Sequence, residues 1–338
     1  MRKEDLRRAS VVLVDYRIDD WPERDKLKPV TLRPADGLAI VAVVRSFANK
    51  EIPRRPRAYA IHSALLDELS AGLPVQSGEH AIARTANLEW VFAKNELGSS
   101  VSFFDQVSIL ADGVARLPAR WPAGARRATE KAHQLLGLPA RASWKERAKA
   151  EIQACRLPAH AFASATNGMA FVRWLLHGIL PYPCFLWDIR YLAARLRVSP
   201  VDLRVALNSE TKCARSLRLA SYNGAFSGFT GPRWWRAAIE DLIWKWTRGN
   251  PFDTVSVAQA VKKHLSPSLE PVDVLQPVVT VDSQYRPSDI LLDIGLAVEV
   301  QPDGWPAYAD KAWVAREDAS ASDDFRAIVV RGDLSLLD

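Results

Sequence analysis

Three short apolar runs near the start of the chain constrain its fold more than any other feature. Residues 10–14 (SVVLV), 58–62 (AYAIH) and 89–93 (EWVFA) are each too short for a buried helix. They are rich in β-branched and aromatic residues, so each reads as a buried strand. Between and after them lie helical patterns at residues 37–46 (GLAIVAVVRS), 81–87 and 101–117. Strands that alternate with helices imply a parallel sheet. In such sheets function gathers at the carboxyl ends of the strands. Asp15, Ser63 and Lys94 stand at those ends.

The chain has 338 residues, enough for two or three domains, and its net charge of +6 suits an anionic partner. Its three cysteines, Cys155, Cys184 and Cys213, lie far apart. That spacing argues against a disulfide framework and predicts a reducing, cytoplasmic setting. No Cys/His spacing matches a zinc site, and MRKEDLRRAS lacks the apolar stretch of a signal peptide. The most apolar window, residues 169–187, is interrupted by Arg173, His177, Pro181 and Pro183. It reads as a buried helix, so no membrane is expected as a partner. His160 and His177 are isolated and receive no role.

The runs VVLVDYRIDDW, IHS and VFAKN resemble the receiver domain of response regulators. The resemblance implies a phosphoacceptor at Asp15, a phosphate-bonding hydroxyl at Ser63 and a pairing cation at Lys94. It departs from the family where a receiver opens with a further strand, a helix and Mg²⁺-binding acids. Asp19 and Asp20 follow Asp15 and cannot take that place. The implied use is therefore docking, to a second copy or to a protein partner, and Asp15 is expected to remain unphosphorylated.

Residues 121–145 read as a Pro-, Arg- and Ala-rich linker. A helical segment, 146–229, follows. Within it, WDIRYLAARLRVSPVDLRVALN places Ile189, Leu192, Ala193, Leu196 and Val198 on one stripe. Ser199 then caps a second helix that has Pro200 at its first position. The pattern is similar to a helix-turn-helix motif, with Arg197 in place of the usual turn glycine. The resemblance puts the second helix in a DNA major groove, presenting Ser199, Asp202 and Arg204. Residues 186–250 hold eleven basic against five acidic residues. Arg197, Ser199, Arg204, Arg233 and Arg236 are the nucleic-acid contacts this reading selects.

The last segment, 230–338, turns on YRPSDILLDIGLAVEVQ (residues 285–301). It reads as two strands joined at Gly295. An antiparallel hairpin would bring Asp289 and Glu299 together, and a divalent cation would relieve their repulsion. Pro287-Ser288-Asp289 and Glu299-Val300-Gln301 resemble the PD-(D/E)xK nuclease superfamily, with its restriction-endonuclease-like fold. EVQPDGWPAYADKAWVARED followed by the strand-like FRAIVVRGD is similar to the very-short-patch-repair branch, in which a helix and a closing strand follow the motif. The helix at residues 234–247, WWRAAIEDLIWKWT, carries Glu240 where such nucleases place an extra acid. The resemblance implies Mg²⁺, or Mn²⁺, held by Asp289, Glu299 and Glu240. Gln301 stands where the family has Lys; it could orient water or phosphate but is neither a general base nor a cation.

The expected fold class is multidomain α/β. It comprises a receiver-like α/β module (1–120), the linker, an α-helical middle and a restriction-endonuclease-like domain. The expected function is a DNA-binding, metal-dependent endonuclease or nuclease-like effector, of the kind found in bacterial genome defence or mobile elements. Two alternatives stay open. One is a non-catalytic DNA-binding regulator on a degenerate nuclease fold. The other is an RNA-binding protein, because VEVQPDGWP is also similar to the RAP domain of RNA-processing proteins.

Overall fold

The apolar runs at the start of the chain do form a parallel sheet. The structure is a computed structural model that describes residues 3–18, 34, 36–50, 55–70, 73, 78–94, 101–163 and 168–337. Asp19 and Asp20 lie outside the described residues. Helix α1 (Lys3–Arg8) leads into β1 (Val11–Asp15), α2 (Gly37–Ala48) and β2 (Ala58–Ser63). Then come α3 (Leu66–Leu69), α4 (Glu79–Thr85), β3 (Trp90–Ala93), α5 (Phe103–Ala115) and α6 (Ala125–Leu135). The strands run parallel in the order β1-β2-β3, with Val12 opposite Tyr59 and Ile61 opposite Val91. Leu6, Val12, Val41, Ile61, Leu88 and Val91 share one core. Asp36 caps α2 through Oδ1, which accepts from Ala39 N at 2.9 Å. Gly37 opens that helix against β1, where a Cβ would lie 2.2 Å from the Asp15 carbonyl oxygen. Only glycine fits that approach.

The chain continues through α7 (Lys145–Ala154), α8 (Ala159–Ala163), α9 (Met169–Arg173) and a π-helix, Trp174–Ile179. Next are β4 (Leu186–Trp187), α10 (Ile189–Leu196), α11 (Pro200–Ser209), α12 (Thr211–Arg218), β5 (Trp234–Trp235), α13 (Arg236–Trp246) and α14 (Thr254–His264). Strands β6 (Pro277–Val281), β7 (Pro287–Asp293), β8 (Ala297–Val300) and β9 (Ala312–Ala315) precede α15 (Arg316–Ala321) and α16 (Asp323–Ile328). The chain is thus mixed α/β. It divides into two units, one of Met1–Gly137, Leu157–Pro181 and Gly224–Gly231, the other of Leu138–Arg156, Tyr182–Asn223 and Pro232–Asp338.

This division is not the consecutive one expected from the sequence. In the first unit α6 buries Ala128 and Ala132 and packs against α8, so part of the linker is core. In the second unit α7 packs on α13. The expected helical middle is therefore shared out, because its helices bury their apolar faces against different partners. The window at 169–187 is a short α-helix, a π-helix and a two-residue strand, broken at Pro181 and Pro183. Among the described residues no helix is long and apolar enough to cross a membrane.

The second unit holds a four-stranded sheet in the order β7-β6-β9-β8. The expected hairpin between β7 and β8 does not form. Strand β7 pairs antiparallel with β6, through a turn in which the Asp282 side chain accepts from Gln284 N (2.8 Å) and Arg286 N (2.9 Å). After β7 the Asp293 carboxylate accepts from Gly295 N (2.9 Å) and Gln276 N (3.0 Å), which turns residues 294–296 into a 3-10 helix. That turn carries the chain away, and β8 pairs antiparallel with β9. The stretch expected as a helix contains β9 and the start of α15, and FRAIVVRGD is α16 as far as Ile328, after which only Val329 bridges antiparallel to Val300 of β8. Ser322 caps α16, and Asp323 and Asp324 suit its first turn. Val281, Val298, Val300, Val314, Ala319 and Phe325 form the core on one side of this sheet. Helix α10 packs on β6 and β7.

In the first unit the buried Glu89 joins several segments. Its carboxylate accepts from Tyr59 N (2.7 Å) and pairs with Arg173 (2.6 Å) and Arg45 (3.6 Å). Its carbonyl accepts from His177 Nε2–H at 2.8 Å. Burial above all, then Arg173 and Arg84, depresses the His177 imidazole to about 4 from the ordinary 6.5. Burial likewise takes His80 to about 3. Below the ordinary value the unfolded chain takes up protons that these folded imidazoles refuse. Neither imidazole penalises folding above about pH 6.5, and stability is lost as pH falls towards about 4 for His177 and about 3 for His80. Each contributes a slope of up to about 1.4 kcal/mol per pH unit in that window. His177→Gln is expected to flatten the pH dependence of urea midpoints between about pH 4.5 and 7 by roughly one proton.

Candidate nucleic-acid interface

The helix-turn-helix pattern folds as a tight pair of helices. Asp188 caps α10 by accepting from Arg190 N (2.9 Å) and Tyr191 N (3.2 Å). Arg197 ends α10 with φ 60°, the left-handed conformation that favours glycine. Its guanidinium donates to the carbonyls of Leu275 (2.5 Å) and Val274 (2.7 Å), which holds the arginine there. Ser199 Oγ accepts from Asp202 N at 3.4 Å, with Pro200 next, so α11 begins as expected. The substitution of the turn glycine is therefore accommodated, at the expense of Arg197 as a ligand contact.

The three acids expected to hold metal are not brought together. Strands β7 and β8 lie at opposite edges of the sheet, with β6 and β9 between them. Three inter-strand steps separate their axes by about 14 Å. Asp289 pairs with Arg190 at 2.8 Å and Arg204 at 3.4 Å. Glu299 pairs with Lys311 and raises the pKa of that ammonium. Glu240 takes a two-pronged bond from Arg195, at 2.7 and 2.8 Å. Gln301 Nε2 reaches the Trp305 carbonyl at 3.5 Å. Among the described residues no three His, Cys, Asp or Glu side chains converge as a metal site would require. Mg²⁺ or Mn²⁺ needs several oxygens at about 2.0–2.2 Å around one point, and this arrangement does not fit either ion.

The cations selected for nucleic acid are also largely engaged. Arg233 is buried, with Nη1 3.8 Å from Asp188. Arg236 bonds Asp310 at 2.7 Å and lies over the Trp187 ring. Arg204 stays half exposed beside Asp289. The charge excess of this region appears instead on α12. Cys213 and Leu217 are buried, whereas Lys212, Arg215 and Arg218, spaced i, i+3 and i+6, line the opposite, exposed face. Ser216 Oγ donates to the His264 carbonyl at 2.7 Å and ties α12 to the end of α14. Burial first, then Lys263 and Lys212, holds His264 below its usual range. The sequence carried this signal in TKCARSLR, whose helical spacing separates cations from core residues.

In the first unit, Asp15, Ser63 and Lys94 do meet at one end of the parallel sheet. Lys94 Nζ bonds the Asp15 carboxylate. Lys94 N donates to the Ser63 carbonyl at 2.8 Å, and the Ser63 hydroxyl, almost fully buried, accepts from Leu65 N at 2.9 Å. His62 stacks on Phe103 beside them at 4.3 Å. Comparison of the chain with protein-family models, with curated proteins and with solved structures gives no match.

The ion pairs of the second unit differ in burial, and their removal is expected to differ accordingly. Glu240→Ala leaves a guanidinium in a largely buried setting, and a loss of about 2–3 kcal/mol is expected. Asp289→Ala opens a more exposed contact between two arginines and should cost about 0.5–1 kcal/mol. Urea unfolding at low salt and at about 1 M salt checks both, with only the Asp289 effect fading at high salt.

Proposed function

We propose that this chain is a nucleic-acid-binding protein that holds its partner without cutting it. The observation that carries the reading is the exposed face of α12. Among the described residues Lys212, Arg215 and Arg218 have no acidic partner, and Lys263 lies close by on α14. In the same unit Arg190, Arg195, Arg204, Arg233 and Arg236 are occupied by Asp188, Glu240, Asp289 and Asp310. Cations left unpaired on one helix face suit a phosphate backbone and give salt-dependent affinity. The separated carboxylates speak against the nuclease reading.

Fluorescence anisotropy with labelled DNA and RNA tests this. Wild type should bind, with an affinity that falls steeply over about 50–200 mM salt. Replacing Lys212, Arg215 and Arg218 together by Ala should reduce the salt slope by roughly 2–3, as expected for three lost phosphate contacts. Absence of binding at low salt, or an unchanged slope, would refute the assignment. Mg²⁺- or Mn²⁺-dependent cleavage that Asp289→Ala abolishes would restore the nuclease. Asp15→Ala, in the other unit, should leave the affinity within about twofold, since it removes no phosphate contact.

A further inference from the structure

We infer that the connector between α13 and α14 is a stacking platform for unpaired bases, so that the preferred partner is a single strand. The inference rests on the nucleic-acid reading and deepens it. Two large aromatic side chains flank this connector and face solvent. Phe252 is 86% exposed and Trp244 is 56% exposed. The Trp244 ring lies across Gly249, within 3.5 Å of where a Cβ would stand. Arg195 links the aromatics to the body of the unit. It holds Glu240, one turn before Trp244 on α13, donates to the Pro251 carbonyl at 3.1 Å, and sits 5.6 Å from the centre of the Phe252 ring.

Charge chooses between possible occupants. Arg248 is exposed, has no acidic partner among the described residues, and is held at φ 52° beside Gly249 at φ 93°. Asp253, next to Phe252, is occupied as the cap of α14, where it accepts from Ser256 N at 2.8 Å. Helix α14 then leads from this connector to Lys263, near Lys212 of α12. Its eleven residues span about 16 Å, a distance that a few nucleotides can cover. Exposed aromatics at one end and unpaired cations at the other fit a chain that offers both ring faces and phosphates. A duplex keeps its bases stacked and can use only the cations.

The test compares labelled oligo-dT, oligo-rU and a DNA duplex, each about 20 units long, a length above the site size of single-strand binders. Wild type should bind the single strands more tightly than the duplex. Phe252→Ala and Trp244→Ala should each weaken single-strand binding by about 5- to 150-fold and leave the duplex within about twofold. Circular dichroism melting confirms that the variants fold. The dT and rU arms show whether the strand is DNA or RNA. Equal single-strand affinity in wild type and variants overturns the platform while leaving the basic face of α12 intact. Failure of wild type to bind any of the three probes overturns both readings. Self-association that Phe252→Ala abolishes would assign the aromatics to a second copy of the chain and also overturn the inference.

Discussion

Neutralisation of carboxylates by neighbouring cations organises the second unit. Asp188, Glu240, Asp289, Glu299 and Asp310 each face an arginine or lysine from another part of that unit or from an adjoining turn. The Arg195–Glu240 pair joins α10 to α13, and Arg190 and Arg204 join α10 and α11 to β7. Two-pronged guanidinium–carboxylate bonds fix orientation as well as distance. The Arg195–Glu240 bond does this between α10 and α13, the single contacts of Arg190 and Arg204 to Asp289 tie helices to the sheet, and all of them occupy acids that a metal would need.

The same pairing explains where a nucleic-acid partner can be held. Eleven cations in residues 186–250 suggest a broadly basic face. Most of them are used internally, which leaves Lys212, Arg215 and Arg218 on α12 and Arg248 in the connector before α14 as exposed cations without an acidic partner among the described residues. Phosphate contact needs cations whose charge is not already satisfied, and position in the fold selects them. The aromatic residues divide in a similar way. Trp234 and Trp235 are core, whereas Trp244 and Phe252 face solvent.

Arg197 shows how local pattern and tertiary contact cooperate. The cap at Ser199 and the proline after it were legible because they act through bonds only a few residues long. A left-handed arginine in the turn was not, since two carbonyls almost eighty residues away hold it. Gly37 is comparable, because its need for a bare backbone is set by Asp15, distant in the chain.

By itself the sequence determined the three parallel strands of the first unit, the helices α2, α4 and α5 between and after them, the end of the sheet where Asp15, Ser63 and Lys94 meet, and both helices around Arg197. These follow from periodicity, capping and the alternation of strand with helix, which act locally. Only the tertiary structure decided which strands of the second unit are neighbours. Strand β6, PVVTV, inserts beside β7 through contacts that its own local pattern does not name, and a turn stabilised by Asp293 separates β7 from β8. A hairpin and a sheet with two intervening strands require much the same local pattern, but only the first brings Asp289 and Glu299 together. Strand pairing depends on contacts between distant segments, so the candidate metal site could not be settled by motif spacing. The exposed cations of α12 became distinct only once Arg190, Arg195, Arg204, Arg233 and Arg236 had found their acids.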